Sequence, residues 1–164
     1  MFAGATFSFS ERRRVGEKLM LTTYPKRIAI TLLLTVFSGG CVSTSLTSDV
    51  DPQTDLLSLE SFHVVKFEPD NRGVHQFIAN ALNNRGKTAV ATDERPDEID
   101  AQVLVTYQDK WIWDLTMYML ELNIELRDPR TDYVFATAKS FRTSLARKSP
   151  EAMAEEVIGK LFDE

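Results

Sequence analysis

SFHVVKF (Ser61–Phe67) and KTAVAT (Lys87–Thr92), with one helical repeat between them, decide the fold. In the first run Phe62 and Val64 alternate with His63, Val65 and Phe67, apolar on both faces, which reads as a central strand. Asp70 or Asn71 then stands where a helix N-cap is wanted. Val74, Phe77, Ile78, Ala81 and Leu82 fall at i, i+3, i+4, i+7 and i+8, a single buried stripe on an amphipathic helix. Asn83-Asn84-Arg85-Gly86 ends that helix, with Gly86 placed for a left-handed C′ residue. Lys87–Thr92 reads as the next strand. A strand-helix-strand unit of this length implies a right-handed parallel crossover.

Downstream, Asp93–Asp100 carries five carboxylates around Pro96, without His or Cys, and reads as a solvated loop. Ala101–Gln108 is a third strand, with Val103, Val105 and Tyr107 in one phase. Asp109–Asp114 makes or flanks a turn. Leu115–Arg127 is the longest strand, because Leu120, Leu122, Ile124 and Leu126 alternate with Glu121, Asn123, Glu125 and Arg127. Leu115, Met117 and Met119 run in the opposite phase, which predicts a bulge near Met119. Asp128–Asp132 is a hairpin turn into a fifth strand, Tyr133–Phe141, where Val134, Ala136 and Ala138 are small enough for close helix packing. Ser149 as N-cap and Pro150 at the first helical position open a closing helix, whose stripe is Met153, Val157, Ile158 and Leu161. The expected fold is a two-layer α+β sandwich, a five-stranded mixed sheet with two helices on one face, over residues 61–164.

Upstream, Lys26-Arg27 precedes the apolar run Ile28–Phe37, then Ser38-Gly39-Gly40 and Cys41, the chain's only cysteine. A run this short is half of the ~20 residues that span hydrocarbon as a helix, so residues 1–40 read as a signal peptide. Met20 offers a second start, from which the signal has ordinary proportions. Removing 1–40 leaves 124 residues, enough for one core. It also removes six Lys/Arg and two Asp/Glu, taking the net charge from −5 to −9. That balance argues against a nucleic-acid partner, which needs a basic footprint, and against electrostatic docking on anionic lipid.

The segment resembles the signal of a bacterial lipoprotein, in which the cysteine is lipidated and becomes the mature N-terminus. Gly39 and Gly40 match the pattern, while Ser38 stands where Leu is usual. The resemblance implies lipidation of Cys41 and a membrane partner through that lipid. Ordinary signal cleavage and a cytosolic apolar helix are the alternatives. Val42 is not the aspartate that retains such proteins at the inner membrane, so the resemblance favours the outer membrane, facing the periplasm. Val42–Ser48 is Ser/Thr-rich and reads as a flexible tether, so 41–60 is expected to link lipid to domain.

Asp49, Asp51 and Asp55 lack the Gly and the terminal Glu of a calcium loop and read as a capped turn, with Pro52 fixing φ. Asp49, Asp51, Pro52, Asp55 and Leu56 also resemble the D-x-D-P-x-x-D-[FL] segment of an uncharacterised family of bacterial envelope lipoproteins. That likeness implies an envelope location and supplies no catalytic residues.

No zinc pair, nucleophile elbow, phosphate loop or dinucleotide fingerprint accompanies His63 and His75, so no catalytic residue, metal or cofactor is expected. Trp111, Trp113, Tyr118, Tyr133 and Phe135 form the expected binding surface; the competing reading is that these aromatics close the core edge. The expected function is a lipid-anchored binding or structural module whose partner is another envelope protein or the wall. A small periplasmic hydrolase or a small-ligand carrier is the alternative.

Overall fold

The computed structural model describes residues 43–163. The expected signal peptide, residues 1–40, and Cys41 lie outside the described residues. The elements are β1 (Thr44–Val50), a 3-10 turn (Leu56–Ser58), β2 (Ser61–Val65), α1 (Val74–Asn83), β3 (Thr88–Thr92), β4 (Val103–Asp114), β5 (Thr116–Arg127), β6 (Val134–Arg142), a second 3-10 turn (Ser144–Ala146) and α2 (Pro150–Phe162). They build an α+β domain with one mixed sheet of six strands, ordered β1-β6-β5-β4-β2-β3. β2 is parallel to β3 and β4, and the other pairs are antiparallel.

The sixth strand is the correction. Thr44–Val50, expected as part of a tether, pairs antiparallel with β6 from Thr44↔Arg142 to Val50↔Ala136. Ser/Thr content hid it, because an edge strand needs only one apolar stripe. Leu46 and Val50 supply that stripe and pack, partly buried, against the core. The domain therefore begins well before Ser61. The following aspartates do form a capped turn: Asp51 Oδ1 accepts from Gln53 N at 2.9 Å and Asp55 Oδ1 from Leu57 N at 3.1 Å.

α1 packs on β2 and β3, α2 on β1, β5 and β6, and the helices pack on each other. Between them and the sheet lie Phe62, Val64, Val74, Ile78, Leu82, Leu122, Ile124, Leu126, Met153 and Ile158, all essentially inaccessible. Burying each such side chain contributes about 1.5–3 kcal/mol relative to leaving it in water. Ala136 and Ala138 are buried beneath α2, where small side chains let the helix approach. Ser149 caps α2 by accepting from Ala152 N at 3.1 Å, with Pro150 in the first turn. Gly86 sits at φ 79°, beyond the end of α1.

Order β4-β2-β3 requires two parallel crossovers in opposite directions. Right-handed crossovers in opposite directions lie on opposite faces of a sheet. Accordingly, the 93–102 connection belongs to the face away from α1. Leu104, whose register puts it on that face, is 0% exposed, and Arg95 of the connection reaches Asp132 at 3.2 Å. The rest of that face is a charged ladder: Glu121 joins Lys110 and Lys139 at 2.9 Å each, and Arg127 Nε donates to Thr106 Oγ1 at 3.0 Å.

The β4–β5 hairpin is longer than expected. Asp109–Asp114 continues β4, and the two strands join through Leu115 alone, with Asp114 opposite Thr116. Lys110 pairs with Glu121 and Trp111 with Met119, which leaves Leu120 as the extra residue of a bulge, next to the expected position.

Candidate interaction surface

The hairpin end carries the exposed apolar side chains. Register makes Trp113 face Met117, Ile112 face Tyr118, and Trp111 face Met119. Trp113 is 68% exposed and Leu115 81%, with Ile112 and Met117 also open to solvent. Leu115 sits at φ 59°, a left-handed conformation that a branched side chain adopts at a cost of about 1–2 kcal/mol. The strained position thus presents a large apolar group to water.

Two arginines brace the base of this tip. The Arg72 guanidinium lies 4.1 Å from the ring centroid of Trp111, whose indole N–H donates to Asp109 Oδ2. Arg147 lies 4.8 Å over the Tyr118 ring, donates to Thr116 Oγ1 at 2.6 Å, and donates to the Asp114 carbonyl at 3.0 Å. Leu145, exposed in the turn just before Arg147, adds a further apolar side chain near the tip.

The five aromatics named from sequence divide accordingly. Trp113 is at the surface, Trp111 packs against the core, and Tyr118 is buried under Arg147. Tyr133 and Phe135 stand at the start of β6, while the hairpin end lies past its last residues. Tyr133 is exposed and donates to Asp51 Oδ2 at 2.8 Å. Phe135 is the extra residue of a second bulge, opposite Leu126 and Arg127, and packs partly buried on the core. The aromatics form two separate sets. Ile112, Leu115, Met117 and Leu145 were missed as surface residues. The phase change at Leu115 and Met117 was their signal.

The histidines are held differently: His63 makes a hydrogen bond, while His75 Nδ1 is buried without a hydrogen-bond partner among the described residues. His63 Nε2 lies 2.9 Å from Thr92 Oγ1, while that hydroxyl donates to the Glu94 carbonyl at 2.8 Å. His63 must therefore donate to Thr92, and a ring nitrogen that donates is no base for that hydroxyl. Burial pushes the His63 pKa down and favours this neutral form.

His75 is buried on α1, with Nδ1 3.5 Å from Asp70 Oδ2 and Nε2 3.4 Å from Asp93 Oδ1. Asp70 accepts from Arg72 N, Val74 N and the Tyr107 hydroxyl, each at 2.7 Å. Burial pushes the Asp70 carboxyl up, but the donors led by Tyr107 outweigh it and hold it below its ordinary value. Burial, then the bond to Asp70, pushes the Tyr107 phenol up, so Tyr107 stays a donor. This network closes the start of α1 onto β4. Gly73, at φ 73°, occupies the formal cap position and Asp70 supplies the capping carboxylate.

A hollow of about 250 Å³ lies between the 3-10 turn at Leu56 and α2, lined by Val50, Thr54, Leu56, Leu57, Lys160 and Leu161 among others. Its volume is below the ~300–1,000 Å³ of ordinary small-molecule sites, and no histidine lines it. Among the described residues, no helix is long and apolar enough to cross a membrane.

These features define a six-stranded mixed α+β domain with an apolar hairpin tip. No protein-family model matches the chain, and no curated protein matches it in sequence. The fold is similar to that of the PelC dodecamer from Paraburkholderia phytofirmans. One PelC structure aligns with TM-score 0.55 at 16% identity, over 72% of this chain and 97% of that one. A variant PelC dodecamer aligns with TM-score 0.52 at 18% identity, over 73% and 94%. At that identity the likeness concerns the fold alone.

Proposed function

We propose that this chain is a lipid-anchored binding or structural module of the bacterial cell envelope, with no identifiable catalysis. Cys41 carries the lipid, the outer membrane facing the periplasm is favoured over the inner membrane, and the hairpin tip is the contact surface. The carrying observation is the contrast between the two kinds of side chain. His63, Asp70 and Tyr107 are occupied by structural hydrogen bonds, whereas Trp113 and Leu115 stand largely in solvent.

The test is the mass and fractionation of the protein from cells grown with and without globomycin, beside a Cys41→Ser variant. The expected result is an acylated, membrane-bound protein that loses both properties with the variant. An unmodified protein in untreated cells overturns the anchoring. The hydrolase and carrier readings gain no support from the histidine geometry or from the small hollow.

Self-assembly is a second reading. β1 and β3 are free edges among the described residues, and the PelC of similar fold is a dodecamer. Light scattering of the purified protein, monomeric or not, decides it.

A further inference from the structure

We propose that the hairpin tip docks on the bilayer to which the chain is anchored, with Trp113 and Leu115 entering the lipid interface. This deepens the reading above and rests on it for the anchor. Three observations carry it. The first is where the described chain begins. The carbonyl of Ser43 accepts from Thr143 N at 3.4 Å and from Thr143 Oγ1 at 3.1 Å. Four residues after Thr143, Arg147 grips the hairpin at Asp114 and Thr116. The N-terminal entry and the hairpin tip are thus tied together at one end of the sheet. Cys41 precedes Ser43 by two residues, and two residues reach at most about 7 Å. Acyl chains on Cys41 would hold this end of the sheet, and no other, against a membrane.

The second observation is shape. Two long strands join through Leu115 alone, so the exposed apolar side chains stand together at a narrow projecting end. The third is composition. Trp113, Leu115, Met117, Ile112 and Leu145 combine an amphipathic indole with aliphatic groups. That mixture suits the boundary between headgroups and acyl chains, where Trp is enriched. The contact is apolar in origin, which fits a mature charge of −9 that would oppose electrostatic docking.

Both tryptophans of the chain lie in this hairpin, so their fluorescence is the probe. The full chain is expressed in a bacterial host, purified from membranes, and reconstituted in phosphatidylethanolamine–phosphatidylglycerol vesicles with ordinary or brominated acyl chains. In Trp111→Phe, which leaves Trp113 alone, bromination is expected to lower emission about twofold, as for a side chain several ångströms into the interface. In Trp113→Phe, emission from Trp111 stays the same. Flotation and mass report the anchor separately. Protein that carries acyl chains and floats, but whose Trp113 emission ignores bromination, overturns the docking and leaves the anchor standing. Trp113 shielded only after an envelope-protein extract is added also overturns it, in favour of a protein partner. If mass shows no acyl chain, the anchor fails, and the docking is read with vesicles added in large excess: quenching of Trp113 upholds it, and its absence overturns it.

Discussion

The Tyr107 hydroxyl donates to Asp70 Oδ2 at 2.7 Å, joining the middle of β4 to the turn that starts α1. The same oxygen accepts from Val74 N, so one carboxylate closes the helix onto the sheet. Hydrogen bonds to charged acceptors contribute about 1.5–3 kcal/mol, and Tyr107→Phe is expected to destabilise by that amount near neutral pH. Asp70 is held below its ordinary pKa of 3.8. The stability this confers is complete above 3.8 and is lost as pH falls through the lower, folded-state value. Removing the Tyr107 donor raises that folded-state value, so the variant loses less on acidification. Urea unfolding near neutral pH and again well below 3.8 should show the gap between variant and wild type narrowing.

β1 makes a different prediction. Asp51 N donates to the Phe135 carbonyl at 2.8 Å, which sets which amides face β6. By strand alternation, Thr47 and Asp49 share that direction, while Leu46, Ser48 and Val50 point their N–H groups away from the sheet. Hydrogen exchange should therefore alternate, slow at 47, 49 and 51 and fast at 46, 48 and 50. Uniformly fast exchange through 44–50 would restore the tether.

What could be read from the chain beforehand was what is locally encoded. Ser149-Pro150 caps a helix by contacts within three residues, and the Val74–Leu82 stripe repeats within two turns. The reversal of phase at Leu115, Met117 and Met119 did mark a bulge, because face alternation is a local property. β1 escaped because its evidence is Leu46 and Val50 alone, and its partner β6 lies some ninety residues away. Asp109–Asp114 escaped for the opposite reason. A strand end projecting into solvent has no burial period to reveal it, and Leu115 occupies a turn position where Gly or Asn would have announced a hairpin. The aromatics were grouped by type, but only the fold could separate Trp113 from Tyr133.

The contact between helices offers a coupled test. A Cβ added at Gly159 would lie 2.7 Å from Arg85 Nη2 and 3.0 Å from Asp163 Oδ2. Arg85 is not free to yield, since it donates to Glu155 Oε2 at 2.6 Å and to the Glu155 carbonyl at 3.1 Å. Gly159→Ala gains about 1 kcal/mol of helix propensity, but displacing a charged hydrogen-bonded pair costs more. A net loss of up to about 1 kcal/mol is expected for the single variant. In an Arg85→Ala background the closer obstruction is gone and only the exposed Asp163 side chain must give way, so the same substitution should stabilise by up to about 1 kcal/mol. A double-mutant cycle on chemical denaturation reads the change of sign; equal effects in both backgrounds would show that Arg85 is not what crowds Gly159.

Leu115 carries the last prediction, because there stability and contact should move in opposite directions. Its φ of 59° is costly for Leu and tolerable for Asn, whose short polar side chain bonds locally in that region. With 81% of the residue in solvent, Leu115 contributes little to the core. Leu115→Asn is expected to raise stability by about 0.5–1 kcal/mol. The same change removes the most exposed apolar group of the tip, so emission from Trp113 in brominated vesicles should be quenched less than in the parent. A side chain kept for packing would show the reverse, a loss of stability with quenching unchanged. Thermal unfolding and vesicle fluorescence on one preparation therefore separate a residue that maintains the fold from one whose strain is tolerated for a surface it meets outside the protein.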